Sequence, residues 1–85
     1  MSKENIKDEI RVFIKQNIIQ DDTAVLNDDT PLISGGVIDS ISTLKLVDFL
    51  EQKYNIEFQP HEVDRELLDT IDLISGFVLE KMQSA

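Results

Sequence analysis

Three stretches of this chain place apolar residues three or four positions apart, and that spacing decides what the chain can build. Ile6, Ile10, Phe13, Ile14 and Ile18 make the first set. Ile41, Leu44, Val47, Leu50 and Tyr54 make the second. Ile71, Ile74, Phe77, Val78 and Met82 make the third. Each set forms one face of a helix, with charged or polar residues between its members. Ile56 and Phe58 alternate with polar neighbours, but over too few residues for a sheet. The pattern predicts an all-α domain: a small bundle of three main helices plus one short helix, occupying residues 1–85 as a single unit.

The boundaries have their own signals. Ser2 suits the N-cap of the first helix, whose pattern fails at Gln20-Asp21-Asp22-Thr23. The second helix should run from about Ser40 to about Tyr54, capped by Asp39 or Ser40 and ended by Asn55. Leu46 and Phe49 widen its apolar stripe. Pro60 suits a first helical position, and the short piece should fall within residues 61–68. Asp69 or Thr70 should cap the last helix. Gly76 lies inside that helix at a cost of about 1 kcal/mol against alanine, which points to close packing there.

Residues 20–39 read as a long loop between the first two helices, and loops of this length in small domains tend to be functional. Val25, Leu26, Leu32, Ile33, Val37 and Ile38 are available to pin it to the helices, and part of it is expected to be helical. Pro31 and Gly35-Gly36 punctuate it. Asp28-Asp29 reads as solvated or as a turn.

Charge excludes several functions. The net charge is −9. Nucleic acid needs clustered Lys and Arg, and an anionic membrane surface repels such a chain. The acidity suits partners with basic patches, or simple solubility. It is unevenly spread: residues 16–39 carry five Asp and no base, whereas residues 40–54 balance Lys45 and Lys53 against Asp48 and Glu51. No apolar run is long enough to span a bilayer, and the N-terminal residues, charged and periodic, do not read as a signal peptide. The expectation is a cytoplasmic monomer without membrane insertion. With no cysteine, any thiol must come from a prosthetic group.

Metal and autonomous catalysis also read as absent. The loop beginning at Asp21 fails as a calcium hand, with Leu26 where the glycine belongs and Leu32 where the bidentate Glu belongs. Gly35-Gly36 lacks the Gly-Lys-Ser/Thr of a phosphate loop. His61 has no partner at metal-ligand spacing. A serine hydroxyl needs a base to act as a nucleophile, and no Ser–His–acid set is evident, so no catalytic residue is assigned.

The stretch with chemical content is Gly35-Gly36-Val37-Ile38-Asp39-Ser40-Ile41. A serine that opens a helix beside a loop suits modification by another enzyme, because the helix N-terminus favours phosphate. The same residues also read as an ordinary helix cap. Asp39-Ser40-Ile41 resembles the hallmark of the acyl carrier family, and the length, long first loop, short helix after Pro60 and amphipathic last helix extend the resemblance over essentially the whole chain. Val63-Asp64-Arg65-Glu66-Leu67-Leu68-Asp69-Thr70 resembles the D-alanyl carrier branch in particular.

The resemblance implies a covalent 4′-phosphopantetheine arm on Ser40, transferred from coenzyme A by a phosphopantetheinyl transferase (holo-ACP synthase) with Mg²⁺ in the transferase. The arm's thiol would hold an acyl or aminoacyl group as a thioester. An acyl- or aminoacyl-activating ligase and acyl transferase or synthase enzymes would be the partners, docking near Asp39, Ile41, Leu44 and Lys45. Fatty-acid carriers have a strongly acidic second helix, whereas this chain has Ser42 and Lys45 where acids are usual. That departure favours a specialised lipid, polyketide or aminoacyl pathway. Leu46, Phe49, Leu50, Phe58, Leu68 and Phe77 could fill the space a long acyl chain would need, or line an expandable pocket. The alternative is an acidic helical interaction module that is never modified.

Overall fold

The structure, a computed structural model, describes residues 2–21 and 23–84. Helix α1 spans Lys3–Phe13 and opens where the Ser2 hydroxyl accepts the Asn5 amide at 3.3 Å. It continues through a π-helical stretch, Ile14–Ile19, and stops at Gln20 in the left-handed conformation, φ 59°. The wider π turn lets Ile18 and Ile19, adjacent in sequence, both pack on the core.

Helix α2 spans Ser40–Tyr54 and ends at Asn55, φ 54°, a residue type that tolerates this conformation. After it, the Glu51 carboxylate accepts the Phe58 amide at 2.7 Å, and a 3₁₀ turn follows at Pro60–Glu62. Helix α3 is the short piece, Arg65–Leu68, and α4 spans Ile71–Ser84. The Thr70 hydroxyl, not Asp69, caps α4 by accepting the Leu73 amide at 3.1 Å. Helix α4 is the hub, packing against α1, α2 and α3.

The core follows the three apolar stripes, with one shift. Ile6, Ile10 and Ile14 from α1 and Ile71, Ile74 and Val78 from α4 are fully buried, with Phe77 and Met82 packed at the margin. In α2 the expected face is rotated. Ile41 and Leu44 are 67% and 59% exposed, and the inner stripe is Thr43, Leu46, Val47, Leu50 and Tyr54. Thr43 can be buried because its hydroxyl donates to the Asp39 carbonyl at 2.8 Å, which removes the cost of an unpaired polar group. Ser75 is buried in the same way, donating to the Asp72 carbonyl at 2.9 Å.

Between residues 20 and 39 the described residues form turns and bends and no helix, so the helical part expected there is not formed. Leu26, Leu32 and Ile38 are buried and pin this segment, whereas Val25 is exposed and pins nothing. Asp28 and Asp29 stand in a turn, as expected, and Asp28 is in addition paired. Its carboxylate pairs with Lys7 at 2.9 Å and with Arg11, while Arg11 Nε donates to the Leu26 carbonyl at 2.8 Å. Lys7 also reaches Asp72 of α4 at 3.4 Å, so one amine joins α1, the loop and α4. The hydrogen bond to Asp28 leads the effects that hold Lys7 above the ordinary lysine range, against the opposing effect of burial. Gly76 does not follow from close packing. A Cβ there would meet only the end of Lys3, at 3.7 Å, an ordinary contact distance.

Candidate functional site

The long loop exists to deliver one helix start. Leu32 and Ile38, both buried, close its last turn, with the Ile38 amide donating to the Leu32 carbonyl at 3.0 Å. Inside that turn the Gly36 amide donates to the Ile33 carbonyl at 3.1 Å, with Gly36 at φ 77°, a conformation suited to glycine. Gly35 lies so near Pro31 that any Cβ would fall 2.2 Å from the Pro31 carbonyl oxygen. The Gly35-Gly36 pair is therefore a requirement of this turn.

Asp39 is the N-cap of α2. Its carboxylate accepts the Ser42 amide at 2.8 Å, and its carbonyl accepts the Thr43 amide at 2.9 Å. The Ser42 amide is the main reason its carboxyl lies below the usual aspartate range. The Ser42 hydroxyl and the nearby Lys45 charge act in the same direction, so Asp39 is ionised at neutral pH.

Ser40 is the first residue of α2 and is exposed. The first amides of a helix have no intrahelical acceptor, and the helix dipole is positive at this end. Ser40 therefore offers a hydroxyl to solvent in a local field that favours a phosphate ester. The geometry fits a 4′-phosphopantetheine attachment: the hydroxyl is accessible, and capping falls to Asp39, so modifying Ser40 would leave the cap intact.

The other expected site residues share this end of α2. Asp39, Ile41, Leu44 and Lys45 are all exposed, so the first turns of the helix carry two uncovered apolar side chains and one cation beside Ser40. The rotation of the inner stripe toward Thr43 is what leaves Ile41 and Leu44 exposed. His61 sits far along the chain in the 3₁₀ turn and is exposed. Among the described residues no group of three or more metal-ligating side chains comes together.

One residue tied to the site was not visible in the sequence as such. Asp69, read there as a possible cap and as part of the stretch resembling D-alanyl carriers, accepts the Ile33 and Ser34 amides and the Ser34 hydroxyl through its carboxylate. Its partners lie 35 and 36 residues away, so no local pattern signals them.

No protein-family model matches the chain. D-alanyl carrier proteins from two strains of Streptococcus suis, 98HAH33 and 05ZYH33, are each 30% identical to it over 80 residues, covering 94% of this chain and 99% of the relative. The chain belongs to the acyl carrier family. D-alanyl carrier proteins, like other members of that family, carry a covalently attached phosphopantetheine arm as their prosthetic group. The carrier presents cargo and is not itself an enzyme. The four-helix arrangement agrees with this assignment. Among the described residues of the carrier, no helix is long and apolar enough to cross a membrane.

Proposed function

We propose that this carrier is loaded at Ser40 and holds a short or polar aminoacyl group, with D-alanine the first candidate. The single observation that carries the attachment site is an exposed serine opening a helix whose cap is supplied by its neighbour Asp39. Loading forms a bond between Ser40 Oγ and the phosphorus of the pantetheine phosphate and breaks the pyrophosphate bond of coenzyme A. It releases adenosine 3′,5′-bisphosphate and passes the hydroxyl proton to a base of the transferase. Once attached, the arm supplies a terminal thiol that holds cargo as a thioester. The carrier's own residues orient the serine: Asp39 fixes the first turn, and Ile38 and Leu32 anchor the loop behind it.

Two observations support the cargo. The relatives of matching length are D-alanyl carriers. In addition, Leu46, Leu50 and Leu68 are fully buried and Phe58 is buried, with the Phe77 ring edge-on to Phe58 at 5.5 Å. Forcing extra methylenes into such an interior costs about 1–3 kcal/mol. The partners are a phosphopantetheinyl transferase, an aminoacyl-activating ligase and an acceptor transferase, met by a monomeric carrier in the cytoplasm. The test loads the holo protein with D-alanine and, separately, with a long saturated acyl chain. D-alanine should be accepted from a D-alanine-activating ligase, and the long chain should leave the melting temperature and interior chemical shifts unchanged. Marked stabilisation by the long chain, with shifts spread through the interior, would overturn the cargo assignment.

Partner choice is proposed to lie in Asp39, Ile41, Leu44 and Lys45. Two uncovered apolar residues and a cation, at the start of a helix whose residues 40–54 carry balanced charge, form a surface unlike that of an acidic docking helix. Like charges across an interface discriminate against wrong partners. Lys45→Glu should lower kcat/KM with the cognate ligase several-fold, more strongly at low salt, while the circular dichroism spectrum is unchanged. Unaltered kinetics in both Lys45→Glu and Lys45→Ala would remove this residue from the selecting surface.

A further inference from the structure

Lys7 and Arg11 hold the early part of the loop, and Asp69 holds the later part that delivers Ser40. The Leu32 amide donates to the Asp69 carbonyl at 2.6 Å. The Ile33 and Ser34 amides both donate to Asp69 Oδ1, each at 2.9 Å, and the Ser34 hydroxyl donates to Oδ2 at 2.7 Å. Four hydrogen bonds from three consecutive residues thus converge on the junction between α3 and α4. From there the tie continues inward, because the Leu32 carbonyl accepts the Ile38 amide at 3.0 Å and Ile38 directly precedes the Asp39 cap. Asp69 is not needed to start α4, which Thr70 caps. Its carboxylate adds no apolar side chain to the core. A carboxylate is acceptor-only, and hydrogen bonds to it are stronger than neutral ones, so it suits a cluster of backbone and hydroxyl donors.

We propose that Asp69 is a positioning residue for the loading of Ser40. It holds residues 32–34 in the turn that sets Ile38, Asp39 and Ser40 in the geometry the transferase must meet. The inference rests on Ser40 as the attachment site. Without the carboxylate, the turn samples other arrangements and only a fraction of molecules presents Ser40 correctly. Apparent affinity falls by that fraction, whereas a molecule that does dock reacts at the normal rate.

The experiment uses the full apo chain, coenzyme A, Mg²⁺ and a broad-specificity phosphopantetheinyl transferase. Asp69→Ala should raise the KM for the carrier about tenfold and leave kcat within about twofold. Asp69→Asn should recover most of the loss, because its amide oxygen can accept the Ile33 and Ser34 amides and its NH₂ can donate to Ser34 Oγ. Ser34→Ala, which removes one of the four bonds, should give a smaller rise in the same KM. Amide exchange should accelerate at Ile33 and Ser34 in Asp69→Ala while the buried turns of α1 and α4 stay protected. Unchanged KM in Asp69→Ala would overturn the proposal, as would equal defects in the Ala and Asn variants or loss of protection throughout α1 and α4. Modification that persists in Ser40→Ala would instead refute the attachment site itself. Normal loading of Ser40 with no response to Asp69→Ala would refute only the positioning role.

Discussion

Ser40→Ala abolishes phosphopantetheine loading and leaves the fold intact. The first half follows from chemistry, since alanine has no oxygen to form the phosphate ester. The second half follows from the division of labour at the start of α2. Asp39 accepts the Ser42 amide, so the capping bond survives the substitution. Alanine is the best helix former, and Ser40 is an exposed helical residue. The change in stability should therefore stay within about 0.5 kcal/mol, the usual range for surface substitutions. Intact-protein mass spectrometry reads the loading, and a thermal melt reads the fold. A variant that still gains the mass of the arm, or that unfolds, contradicts the account.

Leu46→Ala has the opposite character: a large loss of stability from a residue that touches no partner. Leu46 is fully buried on the inner face of α2. Truncating such a leucine costs about 2–5 kcal/mol, the lost transfer energy plus the cavity left behind. Total stability of a native domain is about 5–15 kcal/mol, so this is a large share of it. The melting temperature should fall by about 4–8 °C for each kcal/mol lost in a domain of this size. Leu44→Ala, two residues earlier and 59% exposed, should change stability by no more than about 0.5 kcal/mol. The pair measures the rotation of α2 directly, by chemical or thermal unfolding. A Leu44→Ala loss comparable with that of Leu46→Ala would return Leu44 to the core and remove it from the docking surface.

That rotation also marks where sequence reasoning stopped. The helices were legible because their apolar stripes recur at helical spacing. The ends of α2 at Ser40 and Tyr54 were legible because Asp39 is a strong cap and Asn55 tolerates a left-handed backbone. The inner face of α2 was misplaced for one reason. Thr43 counts as polar in the pattern, but its hydroxyl is satisfied by the Asp39 carbonyl and the residue goes inside. Ile41 and Leu44 then lose their place in the core. The family was legible in Asp39-Ser40-Ile41 together with the helix layout, and the D-alanyl carriers of matching length support it.

What escaped the sequence is long-range and polar. Lys7 and Arg11 meet Asp28 across 21 and 17 residues, and Asp69 meets Ser34 across 35. No periodicity couples residues so far apart, and each belongs to a type that normally reads as solvated surface. The π-helical stretch at Ile14–Ile19 likewise has no signal in the apolar pattern, which continues through it at ordinary helical spacing. Gly76 was expected to mark a tight contact and does not, because among the described residues a Cβ there would come within 4 Å only of the flexible end of Lys3.

The central claim is that the arm sits on Ser40, and peptide-level mass spectrometry of the loaded protein tests it most directly. Ser34 and Ser42 lie nearby on the same loop and helix and provide internal controls. After incubation with coenzyme A, Mg²⁺ and a phosphopantetheinyl transferase, fragmentation should place one phosphopantetheine on Ser40 and none on Ser34 or Ser42. An unmodified chain, or an arm found on either neighbouring serine, would contradict the account.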